Sequence, residues 1–245
     1  MQPLIEFKNV NFSVGHHKQI IRDFSTTINS GDFVVLLGGN GSGKSTLLKL
    51  LNRTYHHTSG DIVFKNKSII KYELPALRRE LITLTQFTAD SIFTDLTIEE
   101  NALLIESALL QNAFDRKKFL VVLPDYLHSF HPTLAKSLKT RMKNLSGGEQ
   151  QIAAFALYLR HQPDVLLLDE HTSALDPKKA AYVMQFTQQY IAQKKITCLM
   201  TTHQLDYALK YGNKLMAIRE GELIFEANAE KKATLSMADL LQYCY

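Results

Sequence analysis

Apolar and polar residues roughly alternate along Leu4–Phe12 and again along Ile20–Ile28. That period predicts two strands, each with one buried face, and Val14-Gly15-His16-His17 between them reads as a turn. Phe33-Val34-Val35-Leu36-Leu37 is a continuous apolar run, as expected of a strand buried on both faces. A glycine-rich stretch follows, then a predicted helix over Lys44–Leu51. Short strands are predicted at Asp61–Phe64 and Leu81–Thr85. Thr97-Ile98-Glu99-Glu100 has the capping-box form, in which hydroxyl and carboxylate each satisfy an orphan amide, so a helix is expected over Thr97–Leu110. Residues 115–143 are interrupted by Pro124 and Pro132 and predict several short helices. Further along, helices are expected at Gly147–Leu159, Pro177–Gln193, Gln204–Tyr211 and Ser236–Gln242. Strands are expected at Val165–Leu168 and Ile196–Thr201, with a hairpin over Lys214–Glu226 turning at Glu220-Gly221.

Strands alternating with helices predict an α/β layer architecture with a mixed core sheet. The antiparallel N-terminal strands predict a β-subdomain beside it. Residues from about 87 to 160 lack a convincing strand and predict a helical lobe inserted between core segments 1–86 and 161–245. The chain is read as a single domain of 245 residues.

Composition narrows the class. With 45% hydrophobic and 21% charged residues the chain has enough apolar material for a sizeable core. Its longest apolar runs are a handful of residues, so no membrane span is expected. No basic region followed by an apolar stretch opens the sequence, so no secretory signal is expected. Cys198 and Cys244 suggest no disulfide framework, and a reducing, cytoplasmic setting is expected. The net charge of +4 comes with scattered basic pairs, Arg78-Arg79, Lys117-Lys118, Lys178-Lys179 and Lys194-Lys195. A nucleic-acid surface wants a clustered stripe, so no nucleic-acid partner is expected.

Two motifs carry chemistry. Gly38-Gly39-Asn40-Gly41-Ser42-Gly43-Lys44-Ser45, followed by Thr46, matches G-x-x-x-x-G-K-[ST] between a buried strand and a helix. Glycines at Gly38, Gly41 and Gly43 let successive amides turn inward, where they bind phosphate oxygens, and the helix adds its positive end. Lys44 would reach the β- and γ-phosphates and the Ser45 hydroxyl would hold Mg²⁺. The second motif, Val165-Leu166-Leu167-Leu168-Asp169-Glu170, ends a buried strand in two carboxylates at the sheet edge where α/β folds bind ligands. Asp169 suits the Mg²⁺ shell, and Glu170 suits orienting and deprotonating a water for attack on the γ-phosphate. Together they imply a nucleoside polyphosphate.

Leu145-Ser146-Gly147-Gly148-Glu149-Gln150-Gln151 stands just before that strand. With it, essentially the whole chain resembles the ATP-binding subunit of an ABC transporter, a P-loop NTPase fold. LSGGEQ matches the family's signature, and Ser146 with Glu149 forms a capping box at a second helix N-terminus. The resemblance implies further roles. Gln86 matches the glutamine that contacts Mg²⁺ or the attacking water and senses the permease. Ser173-Ala174-Leu175-Asp176 matches the D-loop at the subunit interface. His203 matches the switch histidine that contacts the γ-phosphate. The implied substrate is ATP with Mg²⁺, hydrolysed between two copies of the chain, with Ser146, Gly147, Gly148 and Glu149 acting in trans. The implied partners are an integral membrane permease, which makes the chain peripheral on the cytoplasmic side of the plasma membrane, and indirectly a substrate-binding protein. The permease is expected to dock near Phe87–Leu110, with Phe87, Ile92 and Phe93 as apolar contacts.

Two departures stand out. Where the family has an aromatic for stacking on adenine this chain has Val14, and where it has proline after the catalytic glutamate this chain has His171. Phe12, His16 or His17 could replace the missing stacking ring. Asp169-Glu170-His171-Thr172-Ser173-Ala174-Leu175-Asp176-Pro177 resembles an importer group often labelled as tryptophan/tyrosine or amino-acid-type uptake systems. The alternatives are an exporter subunit, or a soluble ABC ATPase of translation or DNA repair. Those soluble members carry two cassettes or a long coiled coil, which this chain lacks.

Overall fold

The structure is a computed structural model that describes residues 2–15, 18–85, 92–110 and 114–243. The chain folds as two compact units. The first comprises residues 1–83, 163–170 and 188–245, and the second residues 84–162 and 171–187.

Two sheets build the first unit. Strands β1 (Pro3–Val14) and β2 (Lys18–Asn29) pair antiparallel, as their alternation predicts, with β4 (Ser59–Phe64) and β5 (Lys67–Ser68) continuing the sheet in the order β2-β1-β4-β5. The second sheet has the order β10-β9-β3-β8-β7-β6. Its members are β3 (Phe33–Leu37), β6 (Leu81–Leu84), β7 (Val165–Asp169), β8 (Thr197–Thr202), β9 (Lys214–Arg219) and β10 (Glu222–Ala227). β3 lies parallel to both β8 and β9, and β7 parallel to β8, while β9 and β10 form the antiparallel hairpin. All five residues of β3 are buried, as an inner strand covered on both faces requires. The main core lies between the sheets and around helix α1 (Lys44–Leu51), drawing in Ile5, Phe24, Leu36, Leu47, Leu50, Phe64, Leu167 and Ile218. α2 (Leu74–Glu80) starts with Pro75 in its first turn, a tolerated position for proline. α8 (Leu205–Lys210), α9 (Ala229–Ala233) and α10 (Met237–Leu241) complete the unit. Lys232 of α9 is buried and donates to the carbonyls of Tyr211 and Gly212.

The second unit is helical: α3 (Ile98–Leu110), α4 (Arg116–Phe130), α5 (Pro132–Lys136), α6 (Gly147–Leu159) and the first turns of α7 (Pro177–Lys194). Its core gathers Ile98, Phe119, Leu123, Leu127, Ile152, Ala153 and Val183. The several short helices expected over residues 115–143 are instead one 15-residue helix plus a short one, with Pro124 inside α4. Proline removes one helical hydrogen bond, but Phe119, Leu123 and Leu127 repeat every four residues, and their shared burial holds α4 together across the break. Among the described residues no helix is long and apolar enough to cross a membrane.

Candidate active site

The loop from Gly38 to Gly43 joins β3 to α1. Gly41 and Gly43 take φ values of 79° and 107°, left-handed angles that suit glycine. At Gly38 a Cβ would come within 2.5 Å of the Ile218 carbonyl oxygen and 2.6 Å of Ser42 Oγ, so the loop closes only on glycine. The resulting cavity, about 290 Å³, is lined by Lys18, Ile20, residues 40–46 and Glu170. Lys44 is buried and curls its ammonium back onto the carbonyls of Gly38 (2.8 Å) and Gly39 (2.9 Å). Ser42 Oγ is buried with no hydrogen-bond partner among the described residues. A buried hydroxyl left this way loses solvation without return unless a ligand supplies the partner.

The C-terminal ends of β7 and β8 bring up the acidic residues. In their parallel register Asp169 lies opposite Thr201. Thr201 Oγ1 donates to Asp169 Oδ1 (2.7 Å) and accepts from the Glu170 amide (3.1 Å). Ser45 Oγ donates to the same Asp169 oxygen (2.9 Å). Glu170 sits at φ 46°, sparsely populated for a residue with a side chain. Its Oε1 lies 3.7 Å from Lys44 Nζ and its Oε2 lies 3.1 Å from His203 Nδ1. The first unit therefore brings together residues 38–46, Asp169, Glu170 and His203. Nothing in the sequence marks Thr201: a threonine within an apolar run looks like ordinary strand filler, and only the register reveals its partners.

The remaining motif residues lie in the second unit. Ser146 caps α6 with both capping-box bonds made, and these bonds hold the Glu149 carboxyl below the usual carboxylate range. A Cβ on Gly147 would come within 3.0 Å of Leu175 Cδ2. Asp176 accepts from the Lys179 amide, and the hydrogen bonds and charge of Lys179 hold its carboxyl low as well. Ser146, Ala174 and Asp176 are exposed, and Ser173 is half-buried. Gln86 and Phe87 lie outside the described residues, as do His16 and His17. Of the expected permease contacts, Phe93 is 65% exposed. Ile92 is not one of them: it is 4% exposed, drawn into the core with Ile98 and Ala102. Asn101, itself buried, clamps Phe93 through both its amide and its carbonyl.

Val14 ends β1 and is 56% exposed. Phe12 is stacked on Tyr55 at 5.2 Å and 9°, so its ring face is already engaged. His171 is buried with Nε2 unpartnered among the described residues, and burial pushes its pKa down to about 4. It is a neutral imidazole at physiological pH.

The donor set fits a hard cation. Ser45 and Asp169 offer oxygen ligands beside a phosphate cradle, the pattern by which Mg²⁺ is held with few protein ligands and substrate phosphates. Among the described residues no cluster of three His, Cys, Asp or Glu side chains competes as a metal site.

A glycine cradle after a buried parallel strand, with paired carboxylates ending a second strand in the same sheet, defines a P-loop nucleoside-triphosphatase. The ABC transporter family model matches residues 21–173, and the chain belongs to that family of ATP-hydrolysing cassettes. It is 33% identical to a tyrosine transport ATP-binding protein of Clostridioides difficile, covering 98% of each chain. It is 32% identical to a phosphonates import ATP-binding protein of Fusobacterium nucleatum, covering 92% of each. In fold it resembles cbiO1 of Clostridium perfringens, part of an ABC transporter complex, with TM-score 0.83 and 22% identity over 99% of this chain and 94% of that one. A cassette solved as a post-hydrolysis dimer with ADP and phosphate gives TM-score 0.75 and 23% identity over 92% and 99%.

Proposed function

We propose that this ABC ATPase powers solute uptake through a separate integral membrane permease fed by a substrate-binding protein, with an amino acid as the transported class. The observation that carries the catalytic reading is Glu170, at the mouth of the phosphate cradle between Lys44 and His203. The uptake reading is supported by the relatives named for tyrosine transport and phosphonates import. The chain acts at the cytoplasmic face of the plasma membrane, with Phe93 as an apolar anchor for the permease.

Residues 38–46 bind the triphosphate, with Lys44 exchanging its carbonyl partners for the β- and γ-phosphate oxygens. Ser45, Asp169 and Gln86 would hold Mg²⁺, which neutralises phosphate charge when bound. Glu170 orients and deprotonates the attacking water, and His203 contacts the γ-phosphate. One chain holds one cradle and one signature, so the site is completed by a second copy. Ser146 and Gly148 of one chain close on the nucleotide in the cradle of the other, and residues 173–176 cross the interface. The positive end of α6 then takes the place of water at the γ-phosphate.

The test is Glu170→Gln. The variant should bind ATP and accumulate as a stable ATP-bound dimer in light scattering, with hydrolysis lost. Hydrolysis at the wild-type rate would remove Glu170 from its role. Co-purification with an integral membrane protein, lost on Phe93→Ser while ATPase activity persists, tests the membrane partner. Retention by that variant would count against the anchor.

A further inference from the structure

One side chain outside the family motifs touches both segments expected to act in trans. Lys179 stands in the first turn of α7. A Cβ built on Gly148 would lie 3.7–3.9 Å from Lys179 Cβ, Cδ and Cγ, so the lysine stem rests on the second glycine of the signature. Its amide donates to Asp176 Oδ1 (3.0 Å) and its ammonium pairs with Asp176 Oδ2 (2.9 Å). One residue thus holds both carboxylate oxygens of the last D-loop residue. Next to it, Leu175 packs on Gly147, where a Cβ would meet it at 3.0 Å. Two adjacent contacts key residues 173–176 to the N-terminus of α6.

We propose that Lys179 is a positioning residue for the ATP-bound dimer. It locks Asp176 and the signature end of α6 into one fixed relation, so that both reach the second copy as a preformed surface. The proposal rests on the two-copy reading above. An exposed ion pair such as Lys179–Asp176 contributes little to folding stability, since solvent screens it and two side chains lose freedom to form it. Its effect falls on association. A segment ordered beforehand need not be ordered at the moment of binding, and that cost otherwise appears as weaker assembly. Lysine suits the task because a long apolar stem covers the glycine while the charged head reaches the carboxylate.

The test uses Glu170→Gln protein as parent, with Lys179→Met, Asp176→Asn and the pair added. Lys179→Met keeps the stem, and Asp176→Asn keeps an oxygen for the amide bond. Dimer formation is followed by light scattering across MgATP concentrations. Each single change should raise the ATP needed for half-maximal dimer about threefold, the scale of an exposed ion pair present in both copies, and the pair should be no worse than either. Lys179→Arg should return to the parental midpoint. Binding of a fluorescent ATP analogue to the monomer and the melting temperature should stay at parental values. Dimerisation of Lys179→Met at parental ATP, or two effects that multiply in the pair, would overturn the proposal. A parent that fails to dimerise with ATP overturns the two-copy reading itself, and the proposal with it.

Discussion

His171 turns the departure from proline after Glu170 into a measurable pH dependence. The imidazole is buried, and burial pushes its pKa from 6.5 to about 4. In the unfolded chain it takes a proton near pH 6.5, whereas in the folded protein it resists until about pH 4. Between those values the unfolded state holds more protons, so stability falls as pH drops through the window. The full difference of about 2.5 units corresponds to roughly 3.4 kcal/mol, of which about 2 kcal/mol is already lost between pH 7 and pH 5. His171→Leu removes the titration and the unpartnered Nε2 together. At pH 7 the variant should be at least as stable as wild type, because a buried polar atom without a partner costs about 1–3 kcal/mol. Urea unfolding at pH 7, 6 and 5 measures both effects. With a slope of roughly 3 kcal/mol per molar, the wild-type midpoint should drop about 0.6 M more than the variant's over that range. Parallel pH profiles for the two proteins would refute the argument, because every other titrating group is common to both.

Four other outcomes are expected. Lys44→Ala should weaken ATP binding roughly 30- to 100-fold, the loss of charge-assisted bonds to phosphate, in a fluorescent-nucleotide titration; an affinity within about threefold of wild type would count against the cradle. Thr201→Val removes the hydroxyl shared by Asp169 and the Glu170 amide, and should lower kcat about tenfold in a steady-state ATPase assay with less change in KM. Val14→Tyr supplies a stacking ring and should tighten ATP about tenfold while leaving inorganic triphosphate unchanged, by isothermal titration of both. Burial lowers the Lys232 pKa to about 8, so the folded state loses that proton before the unfolded state does. Stability should therefore rise between pH 8 and pH 10 in thermal melts, a rise that Lys232→Met abolishes.

The elements legible in the sequence were those whose ends carry backbone chemistry. α1 and α6 have the predicted bounds because Gly43 and Ser146 start them. The five apolar residues of β3 announced a strand buried on both faces. α2 was not predicted, since seven residues with only Leu77 buried give no period to read. Pro124 predicts an interruption that α4 does not show, because the packing of its buried face overrides the local propensity. The cradle is legible in its glycine spacing between a buried strand and a helix, since that loop binds through backbone groups that dictate glycine, and the paired carboxylates are legible only beside it. Thr201 and Lys179 were not named as site residues. Each acts through a partner distant in sequence or packed in space, and neither residue type announces such a role.

The resting position of Glu170 bears on how a triphosphate enters. Its carboxylate already lies near the Lys44 ammonium and the His203 ring, and Lys44 also rests on two loop carbonyls. The pocket is therefore not a bare positive well awaiting an anion. In the proposed binding mode phosphate oxygens take over donors that already have acceptors, so entry exchanges one set of acceptors for another. Lys44 must release two carbonyls before it can hold a phosphate, and that release is part of the cost of entry.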